Sequence, residues 1–294
     1  MLLTASKVFG RHKPVIGVNT DPERSLGHLC IPLRYTYCFS DALKKLRQGE
    51  FRWQWRHRIR VHLAGMGFNP RPVDLHEQQL SLEQHCSAHR STTPAADGDK
   101  AGPELLPVRA LNEVLCGESL SSRTCPNPHA PSPTFSLPRP SYYEISINDG
   151  PWEKHKNSGL NVCTGTGSKA WSYNINKLAS QEVEDLLLIA QRGSRAAQPL
   201  EPAFVEQVTQ HYNESLIFSP EEPRIFFSIR EPIVNRVFTS SLHRGFTTKL
   251  AVRSRCWDAC MVVDGGTSFE FNDGAVATLT VDEDDALCTV LLEE

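Results

Sequence analysis

The sequence lacks any run approaching the ~18 apolar residues that a membrane-spanning helix needs, so no segment reads as a bilayer span. It also lacks an excess of either charge, with 31 Lys and Arg against 34 Asp and Glu and a net charge of −3. That balance excludes a globally basic nucleic-acid binder. Regular cysteine spacing is missing too. Nine cysteines, an odd number, are not the framework of a small secreted domain and suit a reducing compartment. Cys256 and Cys260 have no second Cys or His pair at matching spacing, so no metal site is assigned to them. Residues 1–7 are too short for the apolar core of a signal peptide. What the 294 residues do have is 39% hydrophobic content, enough for one large domain or two modest ones with a proper core.

The most informative stretch is Cys163-Thr-Gly-Thr-Gly-Ser-Lys-Ala-Trp-Ser172, a Gly/Thr/Ser turn running from an apolar strand-like segment into a helix. Such a turn leaves N–H groups free at a helix start, where a phosphate or sugar hydroxyl can approach without meeting a Cβ. A plain helix cap is the competing reading. The full phosphate-loop motif G-x-x-x-x-G-K-[ST] is absent: Ser168 separates Gly167 from Lys169, and Ala170 stands where the Mg²⁺-binding hydroxyl belongs. A Walker-type ATPase is therefore excluded. Cys163 has no His near it in sequence and reads as a small buried filler.

The turn has company. Upstream stand Ala110-Leu-Asn-Glu-Val114 and Gly159-Leu-Asn-Val162, and downstream Val262-Val-Asp-Gly-Gly266. Together and in this order they resemble the NAD kinase family. Lys169 and Trp171 in the turn and Cys-Trp-Asp at 256–258 resemble its divergent form from animal mitochondria. The resemblance implies an α+β fold, in which an N-terminal α/β nucleotide domain precedes a β-sandwich-like, strand-rich NAD-binding domain. It implies transfer of the ATP γ-phosphoryl, with Mg²⁺, to the adenosine ribose 2′-hydroxyl of NAD, giving NADP. Asn112 and Glu113 would then lie near the ribose hydroxyls, a pair that suits a diol because Asn donates and accepts while Glu accepts. Thr166, Gly167, Ser168, Lys169 and Ala170 would cradle adenine and its ribose, with Trp171 in place of a Tyr and Lys169 in place of a Thr. For Lys169, a phosphate contact and a solvent position both fit; for Asp264, a ligand role and a structural turn both fit. Ser158 stands where many relatives carry an Asp that reaches the ligand from a neighbouring subunit. A homodimer in the mitochondrial matrix, without nucleic-acid or membrane partners, completes what the resemblance implies.

In this family a segment like Met-Leu-Leu-Thr-Ala-Ser-Lys at 1–7 directly follows a Gly-Gly-Asp-Gly motif, whose Asp is the catalytic carboxylate. No such motif occurs in the sequence, so no catalytic or metal-binding residue is assigned. The chain is expected to be N-terminally truncated, and an inactive subunit that binds nucleotide or a full-length partner is the alternative function. Lipid kinases related to diacylglycerol kinase share the Gly-Gly-Asp-Gly plan but lack the T-G-S-x-A-[YW] turn.

Along the chain, residues 1–35 read as the remnant of the α/β domain: a helix, a short strand at 14–18 and a Gly/Pro-punctuated loop. Residues 36–294 form the β-rich domain. Within it Ser40 and Asp41 suggest the start of a helix ending near Gly49. Phe51, Trp53, Trp55, Ile59 and Val61 alternate with arginines and Gln54, predicting a strand with its aromatics on the buried face. Residues 84–107 and 121–140 lose periodicity into Ser, Thr, Pro and Gly and read as disordered loops. The second separates runs at 108–116 and 142–147 that could pair as a hairpin. Asn148-Asp-Gly150 and Asn272-Asp-Gly274 carry the signal for type I′ hairpin turns. Helices are predicted over 172–191 and 201–212, further strands over 225–229, 250–254, 259–263, 275–281 and 286–292, and a solvated acidic turn over 282–285.

Overall fold

The structure, a computed structural model, describes residues 2–76, 102–118, 140–193, 200–238 and 242–293. Two antiparallel sheets pack face to face. One has seven strands in the order β10 (Arg244–Thr247), β9 (Ile225–Arg230), β8 (Gly159–Cys163), β5 (Glu113–Glu118), β12 (Ala259–Val263), β13 (Thr267–Phe271) and β3 (Phe68–Asp74). The other has six: β4 (Glu104–Leu105), β2 (Ile59–Gly65), β14 (Ala275–Val281), β11 (Lys249–Ser254), β6 (Ser141–Ile147) and β7 (Glu153–Asn157). Alternate apolar residues of each strand meet between them, as a sandwich requires. Val61, Leu63, Ile145, Leu250, Val252 and Leu279 come from one side, and Val114, Leu160, Val162, Phe227, Met261 and Phe269 from the other. The helices α1 (Leu2–Val8), α2 (Arg34–Tyr37) and α3 (Phe39–Gln48) precede the sandwich, while α4 (Trp171–Asn176), α5 (Ser180–Gly193) and α6 (Pro202–Ser215) lie between β8 and β9. The architecture is α+β. No helix among the described residues is long and apolar enough to cross a membrane.

A third, two-stranded sheet pairs β1 (Arg52–Arg56) with β15 (Leu287–Leu291). Beside it Ile31, Tyr35, Ala42 and Leu292 form a second small core with Val18, Leu46, Phe51 and Val290 around it. The expected strand at 14–18 is reduced to one bridge, Val15 to Thr289.

The aromatic/arginine alternation splits into two strands of opposite phase. In β2, Ile59, Val61 and Leu63 are buried as expected. In β1 the phase is inverted: Trp53 and Trp55 are exposed and Gln54 is buried. The switch happens at 57–58, between the strands, where Arg58 turns inward and donates to the carbonyls of Ser6, Phe9 and Asp285. Period-two alternation continues through the joint and conceals it.

Other expectations are corrected as well. The helix predicted over 172–191 breaks at 177–179, because the Asn213 side chain takes both backbone groups of Leu178, accepting from its N–H at 2.9 Å and donating to its carbonyl at 3.0 Å. Glu182 then accepts from the Ala179 N–H and starts α5. The runs at 108–116 and 142–147 do not pair, since β5 and β6 belong to different sheets. Asn148 and Asp149 take the positive φ values of a type I′ turn (49° and 60°) between β6 and β7. The second Asn-Asp-Gly turns a corner between sheets instead, with only Gly274 at positive φ. Helix α3 starts after Cys38, without a side-chain cap. In the acidic turn Asp284 is solvated, whereas Asp285 accepts from Arg60 at 2.6 Å and Arg109 at 2.7 Å. Of the loop expected at 84–107, residues 104–105 form β4 and Leu106 is fully buried, so the excursion ends before Glu104. Residues 84–101 and 121–139 lie outside the described residues.

Candidate functional site

Strands β8, β5 and β12 are neighbours in the seven-stranded sheet, and this adjacency unites motifs far apart in sequence. Glu113 pairs opposite Cys163, and Val114 opposite Val263, so the turn after β8, the Asn-Glu pair at the start of β5 and Asp264 after β12 share one sheet end.

Asp264 fixes the Asn-Glu pair. Its backbone sits at a φ of 50°, a left-handed conformation that Asp tolerates better than most residues. From there its carboxylate accepts from the N–H groups of Leu111 at 2.8 Å, Asn112 at 2.8 Å and Glu113 at 3.0 Å. Its own N–H donates to the Glu113 carbonyl. Asp264 is thus occupied in shaping residues 111–113.

The Gly/Thr turn is bound to the same loop. Thr164 donates its N–H to the Asn112 carbonyl at 3.0 Å and its hydroxyl to the Leu111 carbonyl at 2.5 Å. A Cβ added at Gly167 would lie 2.0 Å from the Asn112 carbonyl oxygen, and one at Gly165 would lie 1.8 Å from that of Ser219. Both glycines therefore admit a neighbouring backbone, a purpose the sequence reading did not foresee. Ser168 is internal too: its hydroxyl donates to the Gly165 carbonyl and accepts from the Phe218 N–H.

The Glu113 carboxylate accepts from the Asn161 amide at 3.2 Å and the Ser172 N–H at 3.3 Å. Burial pushes its pKa above the ordinary glutamate range against these two bonds, and burial likewise raises Asp264. Cys163 is fully buried and pushed up to about 12, again by burial, which leaves it a filler. A raised carboxylate makes the folded state bind protons more readily than the unfolded one. Stability should therefore fall as pH rises from the unfolded carboxylate range through the folded value, then level off. Glu113→Gln should remove its share of that fall, which urea midpoints at several pH values would read as a gain over wild type with rising pH.

A cleft of about 1300 Å³ opens on this sheet end, between residues 15–32, β1, the end of β15 and the turn. Asn112, Thr166, Lys169 and Ala170 line it. Gly167 and Ser168 are buried, and Asp264 and Glu113 are half-buried, next to these residues. Trp171 is exposed, with the Arg230 guanidinium 5.2 Å above its ring. Sequence reasoning missed Asn161 and Thr164, which hold Glu113 and Asn112, and also Gln54 and Arg56, which reach the cleft from β1. The Asn in Gly-Leu-Asn-Val was a usable signal for the first; the inverted phase of β1 left none for the last two.

No family model matches the chain. It is 66% identical over 294 residues to NAD kinase 2, mitochondrial, of Xenopus tropicalis, covering 100% of this chain and 69% of that one. The proteins of the same name from Rattus norvegicus and Homo sapiens are each 63% identical over 295 residues, with 66% and 63% of their lengths covered. The chain thus spans about two thirds of the length of these relatives. Among solved structures, yeast NADH kinase complexed with NADH has a TM-score of 0.49 at 11% identity, covering 87% of this chain and 49% of that one. An NAD kinase from Archaeoglobus fulgidus in complex with ATP has the same TM-score at 14% identity, covering 99% and 73%. The 66% identity of the Xenopus tropicalis protein over all of this chain, which spans 69% of that protein, shows that the chain belongs to the NAD kinase family.

Proposed function

We propose that this chain works in the ATP-dependent phosphorylation of NAD, at the 2′-hydroxyl of its adenosine ribose, in the mitochondrial compartment that names its relatives. One observation carries the reading: Asp264 and Thr164 hold Asn112 at the wall of a nucleotide-sized cleft, beside Thr166, Lys169 and Ala170. In this proposal Asn112 meets the ribose hydroxyls, and the turn receives the adenosine half with Trp171 at its outer edge. Glu113, Gly167, Ser168 and Asp264 position these groups from behind. Among the described residues no three His, Cys, Asp or Glu side chains surround a common point. Mg²⁺ would therefore be held chiefly by substrate phosphates and water, which suits its preference for keeping waters. A homodimer completes the proposal, with sedimentation equilibrium as its check; a monomer at every concentration would remove it.

A second reading is favoured by the state of the carboxylates. Phosphoryl transfer from ATP needs a group to accept the hydroxyl proton. Asp264 spends both oxygens on backbone N–H groups, and Glu113 is held by Asn161 and Ser172. In this second reading the chain binds nucleotide, or a longer partner, without turning it over. Losing general acid–base catalysis typically costs ~10²–10⁴-fold in rate. NAD binding with little or no NADP formed from NAD and ATP is the expected result for the pure chain. Robust turnover would overturn the second reading, and absence of NAD binding would overturn both.

A further inference from the structure

Two side chains of the cleft have no place in the reading so far. Because β1 is inverted in phase, Gln54 and Arg56 turn toward the cleft while Trp53 and Trp55 face outward. Gln54 is 8% exposed, and its Oε1 is buried without a hydrogen-bond partner. The Nε of Arg56 is likewise buried without one. Its Nη1 donates only a long bond, 3.4 Å, to the Thr166 hydroxyl, which places the guanidinium against the candidate turn.

We infer that Arg56, assisted by Gln54, binds the phosphate chain of a nucleotide in the cleft, an inference that rests on the nucleotide reading above. A half-buried guanidinium whose Nε is buried without a partner is costly, and a phosphate matches its planar set of donors. Glu221, whose charge Arg56 feels, accepts from the Trp55 N–H at 3.2 Å, and no ion pair joins it to Arg56 among the described residues. Burial outweighs that charge and lowers the Arg56 pKa, so the surroundings leave the cation under-compensated. The cleft as a whole has the same sign. Arg24, Arg56 and Lys169 line it against one acidic residue, Glu293, in a chain whose net charge is −3. The Gln54 amide, buried on the same strand face, adds a neutral donor and acceptor within the cleft wall.

NAD carries a diphosphate and ATP a triphosphate, and both present the chemistry Arg56 would recognise. The test is to titrate NAD, ATP and adenosine separately into wild type, Arg56→Ala and Arg56→Lys. Losing a charge-assisted contact should weaken NAD, ATP or both by about 10- to 100-fold in Arg56→Ala, with adenosine changed by less than about twofold. Arg56→Lys, which keeps the charge and tests the effect should Arg56→Ala not fold, should fall between. Loss confined to NAD assigns the contact to the acceptor, and loss confined to ATP assigns it to the donor; either supports the inference. Unchanged affinities for NAD and ATP, or an equal loss for adenosine, would overturn it. Should wild type bind adenosine as tightly as NAD and ATP, the phosphate contact fails and the nucleotide site stands. Should it bind none of the three, both fail.

Discussion

Gly167→Ala and Gly165→Ala should each lower the stability of the unliganded chain by about 3 kcal/mol or more. The added methyl groups would stand 2.0 Å from the Asn112 carbonyl oxygen and 1.8 Å from the Ser219 carbonyl oxygen, distances that no real Cβ adopts. Both obstacles are backbone, so no side chain can rotate away. Thr164 and Asp264 hold the 111–113 loop in place, so relief at Gly167 would require breaking those bonds. Gly245→Ala is the control, because its Cβ meets only the Phe227 ring at an ordinary 3.5 Å. Urea denaturation measures all three. If the two turn variants keep wild-type midpoints and lose only nucleotide affinity, the glycines serve ligand approach and the packing account is wrong.

Asp264→Ala should be nearly as damaging. It leaves three N–H groups, those of Leu111, Asn112 and Glu113, without their acceptor in a region with little access to water. An unsatisfied buried donor costs about 1–3 kcal/mol. Partial solvation of the loop would recover some of this, so a total near 3 kcal/mol is expected. Alanine at a φ of 50° adds roughly 1–2 kcal/mol of backbone strain. Asp264→Gly separates the two effects by removing the strain and not the lost bonds. Asp264→Asn retains one oxygen for Asn112 and Glu113 but turns an NH₂ toward the Leu111 N–H. The expected order of urea midpoints is wild type, Asn, Gly, Ala. A glycine variant as stable as wild type would show that the carboxylate clamp contributes nothing.

The strands of the sandwich were legible because they are short runs, alternating in β11 and β14 and largely apolar in β9 and β12, bounded by turn residues. The three site motifs were legible as segments, but which of their residues face the cleft was not. Gly167 and Ser168 make packing contacts that the sequence does not show, because their partners Asn112 and Phe218 are some fifty residues away. The misreadings share a cause in long-range contacts. Asn213 breaks a helix whose periodicity runs on through Leu178. The inversion of β1 depends on pairing with β15, more than two hundred residues later, and on Arg58 reaching back to α1. Asp285 looked solvated until Arg60 and Arg109 approached it.

The cleft wall also orders events in time. It combines residues 15–32, Gln54 and Arg56, the 165–170 turn and residues 289–293. A chain emerging from a ribosome can begin pairing its central strands early, yet it cannot close this wall until the residues of β15 have left the exit tunnel. Before then β1 has no partner strand, and its outward tryptophans and inward Arg56 are both in water. Nascent chains arrested before residue 287 should accordingly be cut by protease around β1, and chains arrested well beyond β15 should resist.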